Sequence, residues 1–255
     1  MKQSPLFIAF STQKGGVGKS AFSVLSASYL HYTRNYNIVI VDCDYPQHSI
    51  HRMRERDQAI VEIDIEYKRM FDEQYASINK NAYPILCASP NTAIDIANSY
   101  LASCAERVDI IFFDLPGTIH TKGVMQSISN MDYIFTPIIS DRLVLESSLS
   151  FALSVNQVLV ANPKINIKGV YLFWNKVDAR ERTDLYDVYD KAIKELGLTI
   201  MQTYVPDTKR YKKELSKEGK PVFRSTLFPC NKQMLKGSRF DDLLSEIFNI
   251  IKLEL

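Results

Sequence analysis

The stretch with the densest chemistry runs from Ser11 to Ser20 and reads Ser-Thr-Gln-Lys-Gly-Gly-Val-Gly-Lys-Ser. It follows the apolar run Leu6–Phe10. It precedes a helical pattern over Lys19–Tyr32, in which Phe22, Leu25, Ser26, Tyr29 and Leu30 recur at helical spacing. A Gly-rich turn between strand and helix is the setting that phosphate binding requires. Glycines let backbone N–H groups turn inward around a β-phosphate, and the helix N-terminus adds partial positive charge. A lysine then reaches the β- and γ-phosphates and a hydroxyl ligates Mg²⁺. On this reading Gly15, Gly16, Val17, Gly18, Lys19, Ser20 and Ala21 surround the phosphates of a nucleotide, with Lys19 on the charge and Ser20 on the metal.

Carboxylates stand where such a loop would need them. The run Ile38–Val41 ends in Asp42-Cys43-Asp44-Tyr45-Pro46-Gln47. Acidic groups at the C-terminal end of a parallel strand face the ligand crevice, where they orient an attacking water or hold Mg²⁺ through water. An Asp-rich helix cap is the competing reading. Downstream, Ile110-Ile111-Phe112-Phe113 ends in Asp114, which would face Mg²⁺ through water. Leu115-Pro116-Gly117-Thr118 follows, with a backbone N–H near Gly117 placed to sense a γ-phosphate. The run Gly169–Trp174 ends in Asn175-Lys176-Val177-Asp178. In isolation this N-K-x-D string specifies guanine in many GTPases, the Asp accepting from the base.

The elements that must position these groups follow from hydrophobic patterning. Strands are expected at Leu6–Phe10, Ile38–Asp42, Pro84–Ala88, Asp109–Asp114, Tyr133–Pro137 and Gly169–Trp174, with a weaker one at Ile200–Val205. The first ones are continuous β-branched and aromatic runs, as in strands buried on both faces. Helices are expected at Lys19–Tyr32, Asn91–Ala105 (capped by Asn91), Ser140–Ala161, Arg182–Leu196, Thr208–Lys217 and Ser238–Leu253. Residues 47–81 are charged and mostly helical in pattern. Alternating β and α elements predict an α/β fold: a doubly wound, mostly parallel sheet with helices on both faces. No Pro/Ser-rich linker or internal repeat divides the chain, so residues 1–255 are expected to form a single domain.

Composition narrows the function classes. The 255 residues carry 31 Lys+Arg against 29 Asp+Glu, a net charge of +2, which excludes a strongly basic nucleic-acid coat. Nucleic-acid binding would need a local patch. Residues 209–224 offer one, with seven basic and two acidic side chains. Such a cluster contacts DNA phosphates without reading bases, or is simply a solvated helix face. Cys43, Cys87, Cys104 and Cys230 form no C-x-x-C pair, and their wide spacing suggests reduced cytosolic thiols. No secretory signal is visible, and no uninterrupted apolar segment approaches the ~18 residues of a membrane span.

The string Lys-Gly-Gly-Val-Gly-Lys-Ser over residues 14–20 departs from the ordinary phosphate-loop pattern, with Gln13 where the first Gly would stand. It resembles the deviant Walker A motif of the ParA/MinD family. The resemblance runs from Phe7 to the last helix and is closest to small ParA-type partition ATPases. It implies that Lys14 crosses a dimer interface to the partner's phosphates, so that Lys14, Lys19 and Asp44 serve catalysis, with Asp44 positioning water. Asp42-Cys43-Asp44-Tyr45-Pro46-Gln47 is similar to the family's D-x-D-P-Q switch, with Tyr45 inserted. Asp42 and Gln47 then belong to the first switch, and Pro116 and Gly117 to the second. Metal contacts fall to Ser20, and through water to Asp114 and Asp44.

The same resemblance implies that Asn175 meets adenine, with Pro206 and Asp207 in a second base-contacting loop. It favours ATP with Mg²⁺ over GTP. It implies an ATP-dependent homodimer that binds DNA non-specifically through Arg182, Lys209, Arg210, Lys212, Lys213, Lys220 and Arg224. Hydrolysis is expected to be slow and stimulated by a centromere-binding adaptor, and the pair to move a plasmid, chromosome or mobile element. A cytoplasmic protein, nucleoid-associated when ATP-bound, is expected. Only 13 residues precede Lys14, so no N-terminal DNA-binding extension is expected. A MinD-like membrane ATPase is the first alternative, disfavoured by acidic Asp241, Asp242 and Glu246 on the last helix. A metal-chaperone GTPase is motivated by Asn175–Asp178 but has no His/Cys cluster behind it. A nitrogenase-reductase-like protein would need a cysteine within Leu115–Thr118, and a bacterial tyrosine kinase a Tyr-rich tail.

Overall fold

The computed structural model describes residues 4–118, 121–178, 184–216 and 222–253. Among them seven strands form one sheet: β1 (Leu6–Phe10), β2 (Ile38–Asp42), β3 (Ile85–Cys87), β4 (Ile110–Asp114), β5 (Tyr133–Ile138), β6 (Gly169–Trp174) and β7 (Thr199–Ile200). Their order is β3-β2-β4-β1-β5-β6-β7, and every pairing is parallel. Helices are α1 (Lys19–Thr33), α2 (Ser49–Ile63), α3 (Ile65–Ile78), α4 (Ala93–Ser103), α5 (Val124–Ile128), α6 (Arg142–Val155), α7 (Asp184–Glu195), α8 (Lys232–Leu235) and α9 (Phe240–Ile251).

Alternation along the strands divides the core in two. Ile8, Phe10, Ile38, Ile40, Ile110 and Phe112 join a cluster with α1 and α9. Ala9, Val39, Val41, Ile111 and Phe113 join the opposite cluster with α4 and α6. Helices therefore cover both faces, which is why the strands read as unbroken apolar runs. The chain leaves β1 for one side of the sheet and returns at β5 to the other. A crevice opens at such a reversal, at the C-terminal strand ends, and the Ser11–Ser20 loop sits there.

Several expected elements differ in detail. Residues 47–81 hold two helices, because Asp64 ends α2 and caps α3, accepting from Glu66 N and Tyr67 N at 3.0 Å. Thr92, not Asn91, occupies the cap position of α4. The expected strand Ile200–Val205 is cut to β7, because the Glu246 carboxylate takes Gln202 N at 2.7 Å and Thr203 N at 2.8 Å in place of a strand partner. Among the described residues the expected helix Thr208–Lys217 is one 3₁₀ turn, Lys209–Lys212, and Lys217 lies outside them. The Lys213 carbonyl instead accepts from Phe223 N and Arg224 N at 3.0 and 2.9 Å. The expected start of α7 at Arg182 lies outside the described residues.

Helix α6 begins at Asp141, whose side chain accepts from Val144 N at 2.9 Å, and continues as a π-turn over Asn156–Val160. Together Arg142–Val160 is long and apolar enough to cross a membrane, with mean hydropathy 1.5. Its Leu145, Phe151, Ala152, Val155 and Leu159 are buried in the second cluster, while Leu143 and Val158 are exposed. The apolar face of α9 (Phe240, Leu243, Leu244, Ile247, Phe248, Ile251) is likewise buried.

Helix α2 is tied to the C-terminal segment by a buried polar network. Asp57, 2% exposed, accepts from Ser225 Oγ (2.9 Å), Thr226 N (2.7 Å) and Thr226 Oγ1 (2.8 Å). One turn back, Arg54 donates to Thr226 Oγ1, Thr226 O and Tyr83 O, each at 3.0 Å. Every buried polar group in this network has the partner its burial demands.

Candidate functional site

The loop after β1 rests on an aromatic pile. Phe10 lies 5.7 Å from Phe22 of α1, 5.8 Å from Phe135 and 6.2 Å from Phe112, ring centre to ring centre. Gly18 has φ +99°, and a Cβ there would come within 3.1 Å of both Phe22 and the Asn175 amide. Only glycine combines that left-handed backbone with that approach. The Gly18 carbonyl accepts from Phe22 N at 2.9 Å and so opens α1. Thr12 Oγ1 donates to Ser148 Oγ of α6 at 3.0 Å, anchoring the near end of the loop.

The two loop lysines occupy different environments. Lys19 is 8% exposed, and its Nζ donates to the Lys14 carbonyl at 2.8 Å. Burial lowers its pKa, opposed by the charges of Asp114 and Asp44. The side chain of Lys14 is exposed, as are Gly15 and Gly16. Gly117 is pressed against this loop: a Cβ there would meet Lys19 Nζ at 3.0 Å, Lys14 C at 3.1 Å and Gly15 N at 3.2 Å. Pro116 precedes it, half-buried.

Strands β2 and β4 bring Asp42 and Asp114 side by side, and both are buried. Their environments set different tasks. Asp42 spends its oxygens on backbone N–H groups: Oδ2 accepts from Ile50 and His51 at 2.9 and 3.0 Å, and Oδ1 from Asp44 at 3.3 Å. It is the N-terminal anchor of α2, the helix-cap reading of this acidic string. Asp114 instead keeps Oδ1 buried and without a hydrogen-bond partner. Burial pushes its carboxyl up to about 7; the Ser20 hydroxyl and Lys19 pull it down, and Asp42 and Asp44 add to the rise. An orphaned buried acceptor beside a serine hydroxyl fits Mg²⁺ held through water, since that ion keeps most of its hydration and takes the rest from phosphates. Among the described residues no cluster of three or more His, Cys, Asp or Glu side chains is placed to hold a metal by itself.

Asp44 is half-buried and near enough to bias both Lys19 and Asp114. The turn after it is closed by His48 N, which donates to the Asp44 carbonyl at 2.8 Å, and the 67% exposed ring of the inserted Tyr45 meets His48 edge-on at 5.8 Å. Gln47 is exposed on the same turn.

At the end of β6, Asn175 is buried and its amide is committed to the loop. Nδ2 donates to the Val17 carbonyl at 2.8 Å, while Oδ1 accepts from Lys176 N at 2.8 Å. Lys176 Nζ donates to the Gly16 carbonyl at 2.8 Å. Sequence reasoning passed over Lys176 as a site residue. The signal was present in the N-K-x-D string, read there only for its base-specifying ends. Pro206 and Asp207 lie alongside, through a Val177–Pro206 bridge and an Asp207 N to Val177 O bond of 2.9 Å.

The basic segment divides. Arg210 donates to the Met234 and Lys236 carbonyls at the end of α8, and Arg224 pairs with Glu214, which also meets Arg56 at 3.2 Å. Both arginines are engaged inside the fold. Lys209, Lys212 and Lys213 are exposed, as are Lys232 and Lys236. Arg182 and Lys220 lie outside the described residues.

The sequence profile of the CobQ/CobB/MinD/ParA nucleotide binding domain matches residues 8–222. An uncharacterized protein of Borreliella burgdorferi, BBD21, is 34% identical over 94 residues, a match spanning 33% of this chain and only 35% of that relative. A Borrelia burgdorferi B31 protein assigned to plasmid partition, solved with AMPPNP, superposes with TM-score 0.59 at 15% identity, over 97% of this chain and 99% of its own. A ParA of pNOB8 bound to nonspecific DNA superposes with TM-score 0.50 at 13% identity, over 96% and 93%.

Proposed function

The chain belongs to the CobQ/CobB/MinD/ParA family of nucleotide-binding domains, and from that premise we propose that it is a ParA-type partition ATPase. ATP with Mg²⁺ drives two copies into a sandwich, the sandwich binds DNA without sequence preference, and hydrolysis releases it. The contrast between the loop lysines carries this reading. Lys19 is buried against its own loop, in reach of its own nucleotide, whereas Lys14 on the same loop is exposed. An exposed cation at that place serves a phosphate that arrives from outside, that of a facing copy.

Within one site, Lys19 offsets the β/γ-phosphate charge and Ser20 with Asp114 holds the hydrated Mg²⁺. Asp44 orients the attacking water, and Gly117 offers its N–H to the γ-phosphate. Lys209, Lys212 and Lys213 meet DNA phosphates, doubled by dimerisation. The AMPPNP-bound and DNA-bound relatives support this assignment of ligands. An adaptor protein stimulates hydrolysis, and the ATP form resides on the nucleoid in the cytoplasm. The burial of α9's apolar face weighs against the membrane alternative.

The test pairs two variants. Lys19→Ala abolishes nucleotide binding in a titration. Lys14→Ala binds ATP but remains monomeric by light scattering, where the parent dimerises. A Lys14→Ala chain that dimerises normally with ATP overturns the reading.

A further inference from the structure

We propose that a cavity at the opposite end of the sheet from the phosphate loop binds a small heteroaromatic carboxylate, a flat ring with an N–H donor on one edge and an anionic group on another. The cavity measures about 700 Å³, within the range of small-molecule sites. It lies where β2 and β4 begin, whereas the phosphate loop follows the end of β1. His31, in its wall, stands twelve residues beyond Lys19 on α1, about 18 Å along the helix. A ligand here and a nucleotide at the loop would therefore not touch.

Three features of the wall set the ligand's chemistry. The first is aromatic surface: Phe71 and Tyr75 of α3 stack at 4.0 Å, and Tyr100 of α4 comes from the other face of the sheet, so a flat ring has partners on two sides. The second is an open acceptor. His31 Nε2 lies 2.9 Å from the Asn81 carbonyl, which can only accept, so Nε2 carries the proton. Burial lowers the pKa of the ring, opposed by that carbonyl, and the neutral ring keeps a lone pair on Nδ1. Nδ1 is buried without a hydrogen-bond partner, in a residue 6% exposed, and a buried acceptor left open calls for a donor. The third is charge. Lys80 and Arg107 face one carboxylate of the lining, Glu106. Lys80 Nζ donates to the Asn35 and Tyr36 carbonyls at 2.7 and 3.1 Å, neutral groups that do not cancel its charge. Arg107 meets Asp109 through Nε at 3.0 Å, and its guanidinium has further N–H groups to give. The C-terminal ends of α1, α3 and α4 converge on the cavity and put partial negative charge on its walls, which confines an anionic group to these two cations.

The experiment is a calorimetric titration of the full chain with three probes: indole-3-acetate, 1-naphthylacetate, which lacks the ring N–H, and indole-3-acetamide, which lacks the charge. Indole-3-acetate binds tightest, and each of the other two about fivefold more weakly, the size of one lost hydrogen bond. Deleting the donor from the probe tests His31 without disturbing the fold. Saturating ATP with Mg²⁺ leaves these affinities unchanged, so the outcome does not depend on the nucleotide reading. Ala105 is an exposed residue of the wall, and Ala105→Trp fills the cavity and removes binding of all three probes while the ligand-free melting temperature matches the parent's. Arg107→Gln removes most of the advantage of indole-3-acetate over the amide. No binding of indole-3-acetate, equal affinity for the three probes, displacement by ATP, or unchanged binding in Ala105→Trp overturns the proposal.

Discussion

Replacing Asp57 by alanine removes the acceptor that joins α2 to the C-terminal segment. Three donors lose their partner: the Ser225 and Thr226 hydroxyls and the Thr226 N–H. The hydroxyls can re-aim, and Ser225 Oγ already accepts from Leu227 N at 3.0 Å. The Thr226 N–H cannot, and an orphaned buried donor costs about 1–3 kcal/mol. Loss of the charge-assisted character of the other two bonds brings the total to about 3–5 kcal/mol. Asp57→Asn keeps the shape and one acceptor oxygen, so its cost is about 1–2 kcal/mol. For a chain of this size 1 kcal/mol moves the melting temperature by about 2–4 °C. Calorimetry should therefore place Asp57→Ala about 10 °C below the parent, with Asp57→Asn between them. An Asp57→Ala chain melting within about 2 °C of the parent would refute the claim that this carboxylate holds the segment.

Three further outcomes are expected. Asp114 has a carboxyl raised by burial to about 7 from 3.8. The native state thus holds a proton the unfolded chain has released, and ligand-free stability falls as pH rises between those values, by at most about 4 kcal/mol; denaturant titrations should show Asp114→Asn removing that slope, and an unchanged slope would refute it. Asp44→Ala should slow ATP turnover by roughly 10²-fold while leaving nucleotide affinity near the parent's, and unchanged turnover moves water positioning elsewhere. Reversing the charge of Lys209, Lys212 and Lys213 should weaken ATP-dependent DNA binding equally across sequences and flatten its salt dependence, each lost phosphate contact removing about 0.9 from the log–log slope; a sequence-selective loss refutes this surface.

The sheet and the loop were legible because their signals are local. Unbroken apolar runs report burial on both faces, and a strand, glycines, a lysine and a helix sit in one contiguous stretch. What was not legible depends on partners distant in sequence. The Glu246 carboxylate ends β7 from 44 positions away and Lys213 is drawn out of a helix by Phe223 and Arg224, and no window over residues 200–217 contains those partners. The same holds at the site. Asp42 and Asp114 both end apolar runs, and only their surroundings separate a helix anchor from an acceptor left open. Arg210 and Lys209 are adjacent and equally basic in sequence, yet one closes carbonyls at the end of α8 and the other faces solvent.

The position of β1 in the sheet orders events during synthesis. Leu6–Ala9 pair with Ile110–Phe113 on one side, and Ile8–Phe10 with Tyr133–Phe135 on the other. Strand β1 therefore has no neighbour until about 100 more residues exist, roughly 5–20 s of translation. Through that interval its five apolar residues are an unpaired edge beside a flexible glycine turn. Strand β2, made later, finds β3 sooner. Nascent chains arrested before Ile110 should leave Leu6–Phe10 open to protease, and chains extended past Ile138 should protect it. The segment that would hold the nucleotide is thus made before both of its strand neighbours and waits longest for the sheet that encloses it.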